Sequence, residues 1–271
     1  MIRHAPFKEI SVRFSDTGKG RTLVLLHGFP ETSEVWEEFS VKLARHFRII
    51  AIDLPGFGHT PCIGYVHSME LMADCVKAVM QSLGLRKYLI AGHSMGGYVA
   101  LAFTEKFPKH LSGLCLFQST SFSDSPEKKI DRNRAIALVK QNPRHYINEV
   151  IPTLFAEDNI RHYKEDIREL KHIAHSVSRQ GIINALEGMK ERPNRDHVLR
   201  NAACPVLFII GKKDRVIPFE SLLKLAEGVP QVSVLLLEDA GHMGFIEEKK
   251  RTQECLIQFA RMCFRQATPA K

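Results

Sequence analysis

The sequence predicts an α/β fold, a doubly wound and mostly parallel sheet that is flanked by helices. Short apolar runs alternate with longer segments of helical periodicity, and this alternation is typical of a parallel sheet. One apolar run leads through the tight segment Gly92-His93-Ser94-Met95-Gly96-Gly97 directly into a helical pattern. After Ser121 the alternation stops, and the pattern from Ser125 to about Arg200 is helical and polar, without a convincing strand.

The predicted strands are apolar runs bounded by turn residues. The first two, Phe7 to Phe14 and Thr22 to Leu26, are separated by the turn signal Asp16-Thr17-Gly18-Lys19-Gly20. The others are expected at Phe47 to Ile52, Tyr88 to Ala91, Leu111 to Phe117, Pro205 to Ile210 and Val232 to Leu237.

The predicted helices carry apolar residues at helical spacing. The helix Met69 to Leu83 is followed by Gly84, which is a typical C-cap signal. The other helices outside the polar segment are expected at Ser33 to Leu43, Tyr98 to Lys106 and Phe245 to about Phe264. We expect the last residues, Gln266 to Lys271, to be frayed.

The length of 271 residues fits one α/β domain with an insertion. We assign residues 1–120 and 201–271 to the core domain and residues 121–200 to a helical insertion before the last strands. Because the insertion has no strand pattern, it does not read as a separate domain with a sheet of its own.

Composition and charge indicate a soluble cytoplasmic protein. The net charge of +8 is spread along the chain and not gathered into a patch, so we expect no nucleic-acid partner. The six cysteines form no C-x-x-C pair and are expected to be reduced thiols. No apolar run has the length of a membrane span or of a signal peptide, so we expect no membrane association. We expect a monomer or a homodimer, and the sequence does not distinguish the two.

The sequence predicts neither a metal nor a cofactor. The pattern H-E-x-x-H is absent, and His172 and His175 form a single pair on a charged helical stretch without a third ligand. Gly18-x-Gly20 lacks the P-loop pattern, and the Gly92 to Gly97 segment does not fit G-x-G-x-x-G.

A serine between glycines at a strand-to-helix turn is typical of a nucleophile elbow, G-x-S-x-G. Gly92 and Gly96 leave room for the tight turn, which would project the Ser94 hydroxyl beyond the sheet edge. A serine hydroxyl is a weak nucleophile at neutral pH, so it needs a base and a group that orients the base.

Candidates for this base and its orienting acid follow two later strands, at the same edge of the sheet. Asp214 comes after the strand that ends at residue 210, and His242 comes after the last strand. Asp124 and Asp239 are rival carboxylates. We interpret His93, beside the serine, as a buried hydrogen-bonding residue and not as a second base.

Five motifs in order resemble the α/β-hydrolase superfamily over residues 7–265: His27-Gly28-Phe29-Pro30, Asp53-Leu54-Pro55-Gly56-Phe57-Gly58, the elbow, Gly211-x-x-Asp214 and Gly241-His242. The resemblance implies that Ser94 is the nucleophile, that His242 is the general base and then acid, and that Asp214 holds the imidazole tautomer. It also implies an oxyanion hole made by the backbone N–H groups of Phe29 and Met95. Some members place the acid after the strand that precedes the insertion, but here that strand is followed by Gln118-Ser119-Thr120, without a carboxylate.

The 121–200 insertion resembles the helical cap of this superfamily, which would roof the triad and shape the substrate pocket. Each candidate wall residue is equally suited to ordinary packing; the candidates are Phe29, Trp36, Phe122, Phe155, Met189 and Met243. Arg192 or Arg195 could bind a carboxylate on a substrate, but we interpret both as solvated surface charges.

The resemblance also bears on the reaction. Members with an aspartate at the elbow act on epoxides or haloalkanes, whereas a serine favours acyl chemistry. We therefore predict a serine hydrolase that cleaves small or medium carboxylic esters through an acyl-serine, without a cofactor. The alternatives are a C–C bond hydrolase, a peracid-forming enzyme or a lyase that uses the same three residues. A ligand-binding, receptor-like protein on this fold also stays open.

Overall fold

The computed structural model describes residues 1–266 as an eight-stranded sheet with helices packed against it. The strand order is β1-β2-β4-β3-β5-β6-β7-β8. The strands are β1 Ile2–Phe7, β2 Ile10–Thr17, β3 Thr22–Leu26, β4 Arg48–Ile52, β5 Tyr88–His93, β6 Leu111–Phe117, β7 Val206–Gly211 and β8 Val232–Leu237. Strand β2 pairs antiparallel with β1 and β4, and all other pairs are parallel. The predicted doubly wound, mostly parallel sheet is confirmed.

The helices of the core connect successive strands, as the alternating pattern predicts, except for the last two, which follow β8. They are α1 Glu37–Leu43, α2 Met69–Ser82, α3 Met95–Lys106, α9 Phe219–Glu227, α10 Gly244–Glu247 and α11 Lys249–Gln266. A short 3-10 helix, Ser33–Trp36, precedes α1, so only the second part of the predicted Ser33 to Leu43 helix is α-helical. Gly84 ends the α2 segment with a φ of 65°, as its C-cap pattern predicts.

Three sequence expectations differ from the structure. The predicted strand Phe7 to Phe14 is a hairpin of β1 and β2, in which Phe7 pairs with Ile10. The turn was missed because it carries neither glycine nor asparagine, and Lys8 itself adopts a φ of 49°. The predicted closing helix is divided into α10 and α11. Of the tail expected to be frayed, Gln266 belongs to α11, and residues 267–271 lie outside the described residues.

The segment between β6 and β7 is helical throughout its regular structure, as expected. It holds α4 Pro126–Gln141, α5 Pro143–Val150, α6 Lys164–Ser176, α7 Arg179–Glu191 and α8 Asp196–Arg200. Helix α7 lies directly on core backbone, because a Cβ added at Gly181 would overlap the carbonyl of Gly56 and one at Gly188 the carbonyl of His67. The assignment of 121–200 as a helical cap insertion stays a prediction.

The buried strands place the chemistry-bearing residues at one edge of the sheet. Every residue of β3, β5, β6 and β7 is buried, so these strands form the centre of the core. Because these four strands and β8 run parallel, their carboxyl ends share an edge, and the residues that follow them converge there. Among residues 1–266, no helix has the length and apolar character needed to cross a membrane.

Candidate active site

Ser94 occupies a strained turn between β5 and α3. Its φ of 48° and ψ of −112° lie in a region that residues with a side chain rarely adopt. Gly92 and Gly96 make the turn possible, because a Cβ at Gly92 would overlap the carbonyl of Gly96 and a Cβ at Gly96 that of Leu26. Ser94 is half-buried while its neighbours in the turn are buried, so the turn presents this side chain and shields the others.

His242 and Asp214 form a buried hydrogen-bonded pair. His242 Nδ1 lies 2.7 Å from Asp214 Oδ2, and the two side chains are 2% and 1% exposed. Asp214 Oδ1 accepts from the backbone N–H groups of Val216 and Ile217, at 2.7 and 3.1 Å. A carboxylate so held makes Nδ1 the donor, which leaves Nε2 as the acceptor for a hydroxyl proton.

The rival carboxylates belong to other pairs. Asp124 is bound by Arg192 Nη1 at 2.7 Å and by Arg132 Nε at 3.0 Å. Asp239 has a side chain that is 78% exposed and pairs with Lys213. Of these carboxylates and Asp214, only Asp214 has a recorded bond to the His242 ring.

The loop that carries His242 is held by two polar side chains that the sequence reasoning did not assign. Glu247 Oε2 accepts from the N–H groups of Gly241 and Met243, at 2.8 and 3.2 Å. Gln118 accepts from Gly244 N–H at 3.0 Å and donates to the Gly241 carbonyl. Gln118 could have been noticed as a polar residue directly after a buried strand, but no sequence pattern indicated which groups it binds. Burial raises the pKa of Glu247 in this setting.

Of the two predicted oxyanion donors, one adjoins Ser94 in the chain and the other belongs to a residue of the same cavity wall. Met95 is the first residue of α3, so its backbone N–H has no partner within the helix. Phe29 follows β3 and lines the same cavity as Ser94. The Ser94 carbonyl accepts from Ser119 Oγ at 2.7 Å, which anchors the elbow to the loop after β6.

Ser94 and His242 both line a cavity of about 620 Å³ between the core and the helices α4, α5 and α7. Of the predicted wall residues, Phe29, Phe122 and Met189 line this cavity. Its wall also includes two aromatic residues that were not predicted, Tyr98 and Tyr146.

Three predicted wall residues do not line the cavity and belong to the interior. Trp36 packs against Phe245 with ring centroids 4.5 Å apart. Phe155 lies 6.0 Å from the Tyr163 ring, and Met243 is fully buried. These three residues were predicted as wall residues because a large apolar side chain suits a core and a pocket wall equally, and only the tertiary structure distinguishes the two.

The expectation of solvated arginines is wrong. Arg192 and Arg195 are 7% and 3% exposed. Arg192 lines the cavity, bonds Asp124, and stacks its guanidinium 3.9 Å from the centre of the Tyr98 ring. Arg195 lies elsewhere, bound to Glu105 at 3.0 Å and also to Glu70.

The cavity wall carries more positive than negative charge. Its acidic residues are Asp124 and Asp131, and its basic residues are Lys128, Arg132, Arg134, Arg192 and Arg215. Asp131 pairs with Arg134 at 3.1 Å, and the one carboxylate of Asp124 is shared by two arginines. The wall therefore keeps a positive excess after its internal pairs are formed.

No group of three or more metal-ligating side chains occurs within residues 1–266. The His172 and His175 positions both lie on α6, and His175 Nε2 contacts the side-chain oxygen of Asn148 at 3.2 Å. All six cysteines are free thiols in the structure.

Comparison with known proteins places this geometry in a family. A family model described as the alpha/beta hydrolase fold matches residues 21–141 and 148–249. A thermophilic esterase from Thermogutta terrifontis, solved with malate bound, superposes with a TM-score of 0.92 at 33% identity, covering 97% of this chain and 99% of that one.

Curated relatives at lower identity have different activities. A pimeloyl-[acyl-carrier protein] methyl ester esterase of Aeromonas hydrophila is 29% identical, over 92% of this chain and 99% of its own. A 2-hydroxy-6-oxononadienedioate/2-hydroxy-6-oxononatrienedioate hydrolase of Paraburkholderia phymatum is 25% identical, over 93% and 91%. The two matched ranges of the family model together cover most of the chain. The chain therefore belongs to the alpha/beta hydrolase family.

Proposed function

We propose that this hydrolase cleaves small or medium carboxylic esters through an acyl-enzyme formed on Ser94. The observation that carries the proposal is the buried His242–Asp214 hydrogen bond at the cavity into which the Ser94 turn opens. An oriented imidazole at such a turn supplies the base that a serine hydroxyl needs.

In the proposed mechanism, Ser94 Oγ attacks the ester carbonyl while His242 Nε2 takes its proton. The oxyanion that forms accepts hydrogen bonds from the backbone N–H groups of Phe29 and Met95. The C–O bond to the leaving group then breaks, and His242 gives the proton to the departing alcohol. Water, deprotonated by His242, attacks the acyl-serine and releases the acid, which restores Ser94. Asp214 stabilises the imidazolium during both steps.

The positive excess of the wall supports a narrower substrate class, esters that also carry a carboxylate. Opposite charge raises the local concentration of such substrates in a partly desolvated cavity. The Thermogutta terrifontis esterase, which is 33% identical, was solved with the dicarboxylate malate bound, in line with this choice.

The decisive experiment combines covalent labelling with turnover. A fluorophosphonate probe should label the wild-type protein on Ser94, and p-nitrophenyl butyrate should be hydrolysed. In Ser94→Ala, labelling should disappear and kcat should fall by roughly 10⁴-fold or more. Retained labelling in Ser94→Ala, or no labelling of the folded wild type, would show that the proposal is wrong.

A C–C bond hydrolase is the second candidate, because several relatives are named as hydrolases of the diketone-derived acid 2-hydroxy-6-oxononadienedioate and not of an ester. Faster turnover of a vinylogous diketone than of any ester in a matched panel would favour it. Saturable ligand binding without turnover of either class would instead identify a receptor-like protein.

A further inference from the structure

His93, directly before Ser94, is buried with both ring nitrogens against hydrogen-bonding partners. Its Nε2 lies 2.8 Å from the backbone carbonyl of His242, and a carbonyl can only accept. Its Nδ1 lies 3.1 and 3.2 Å from the two carboxyl oxygens of Glu31. The side chains of His93 and Glu31 are 1% and 0% exposed, so no water competes for these bonds.

Glu31 links the same pair to the loop that carries a predicted oxyanion donor. Its Oε2 accepts from the backbone N–H of Gly28 at 2.8 Å, one residue before Phe29. The chain of contacts therefore runs from the Gly28–Phe29 loop through Glu31 and His93 to the backbone of His242. Neither Glu31 nor His93 is part of the cavity wall, so neither meets a substrate.

The contacts favour an ionised pair. Burial alone would lower the pKa of His93, but the Glu31 carboxylate beside it raises that pKa overall. Burial likewise opposes ionisation of Glu31, but His93 and the Gly28 N–H group together hold its pKa below the usual value. As an imidazolium, His93 donates from Nε2 to the His242 carbonyl and from Nδ1 to Glu31 Oε2. Glu31 Oε1 has no hydrogen-bond partner and lies 3.1 Å from Nδ1, so an imidazolium charge is what this buried oxygen faces. The other titratable groups around the pair are His27, His242 and Asp214.

We propose that Glu31 and His93 form a fixed buried ion pair that positions the Gly28–Phe29 loop against the His242 backbone. The pair keeps one oxyanion donor and the general base in register with Ser94, and both members are positioning residues. The catalytic consequence of the pair rests on the proposed function, whereas the existence of the ion pair does not depend on it. Removing one charge from a buried pair leaves the other unpaired, so the loops would shift.

The first test is spectroscopic and needs no substrate. In wild-type protein labelled with 15N-histidine, His93 should have the nitrogen shifts of an imidazolium at about pH 8, where an ordinary histidine is neutral. In Glu31→Gln the same resonances should become those of a neutral ring. A neutral His93 in the wild type would overturn the proposal, whether or not the variant folds.

The second test separates positioning from stability. In Glu31→Gln and His93→Gln, kcat for p-nitrophenyl butyrate should fall roughly 10²-fold while KM changes less than about threefold. The kcat is calculated per fluorophosphonate-titrated site, so unfolded protein does not count. The matched control is Glu254→Gln, which breaks the exposed Lys42–Glu254 pair at 2.9 Å and should leave kcat unchanged.

Failure of the positioning role and failure of the proposed function would give different results. Variants with a lower melting temperature but wild-type kcat per site would reduce the pair to a structural role and overturn the positioning claim. A wild-type protein that takes up no fluorophosphonate would contradict the proposed function, while the nitrogen shifts of His93 would still report on the ion pair.

Discussion

At the scale of single residues, Asp214 divides its two oxygens between two tasks. Oδ2 holds His242, and Oδ1 holds the backbone turn at Val216 and Ile217. The sequence predicted Asp214 and His242 because each follows a strand at the same sheet edge. It could not predict the contacts of Glu247, Gln118 or Glu31, because no sequence pattern indicates which backbone groups they bind or, for Glu31, that the His93 ring lies beside it.

Asp214→Asn should separate the two tasks. The amide oxygen can still accept from Val216 and Ile217, so the fold should be retained. The amide NH₂ then faces His242 Nδ1 and favours the wrong imidazole tautomer, so kcat should fall roughly 10⁴-fold. Steady-state turnover of p-nitrophenyl butyrate and a melting curve measure the two effects. The control is Asp239→Asn, which changes an exposed carboxylate three residues before His242. If kcat in Asp214→Asn fell by less than about tenfold, the assigned role would be contradicted.

At the scale of elements, α4 presents one face to the cavity. Lys128, Arg132, Ala135 and Leu138 all line it at helical spacing, whereas the neighbouring Lys129 is exposed and does not. The periodic pattern predicted a helix here, but its polar composition did not reveal which face meets a cavity.

The short turn of the β1–β2 hairpin was also missed, because a lysine such as Lys8 is not a residue type that indicates a positive φ.

Arg132→Gln tests the charge on the α4 face. The wild type should hydrolyse monomethyl adipate with a higher kcat/KM than methyl hexanoate, and the variant should lose roughly tenfold on the adipate ester only. Added salt should reduce the same preference, because it screens the charge. Lys129→Gln is the control on the same helix. Equal kcat/KM values of the wild type for both esters would contradict the preference for anionic substrates.

At the scale of the whole molecule, His67 joins the core to the helical segment. Its Nε2 accepts from Ile63 N–H at 3.1 Å and from the Asn184 side chain on α7 at 3.2 Å. Its backbone N–H donates to the Asn184 carbonyl at 3.0 Å. Burial lowers the pKa of His67 to about 4, so the ring is neutral in the folded protein at pH values where an exposed histidine is charged.

Acid should therefore destabilise the fold through His67. Between about pH 6.5 and pH 4 the unfolded chain binds a proton that the folded protein does not, so the stabilisation is complete above this window and is lost as the pH falls through it. His67→Gln cannot titrate. Its deficit in the free energy of unfolding, measured with urea, should shrink by roughly 2–3 kcal/mol between about pH 7.5 and pH 4.5. A deficit that is independent of pH would contradict the lowered pKa.

The sequence alone determined the sheet, the elbow and the order of Ser94, Asp214 and His242, because strand periodicity and tight turns are local properties of the chain. The tertiary structure decided which apolar residues face the cavity, why Arg192 is buried, and how Glu31, His93, Gln118 and Glu247 hold the loops. Those features depend on contacts between residues far apart in the chain. A residue's own type and its neighbours in sequence do not specify such partners.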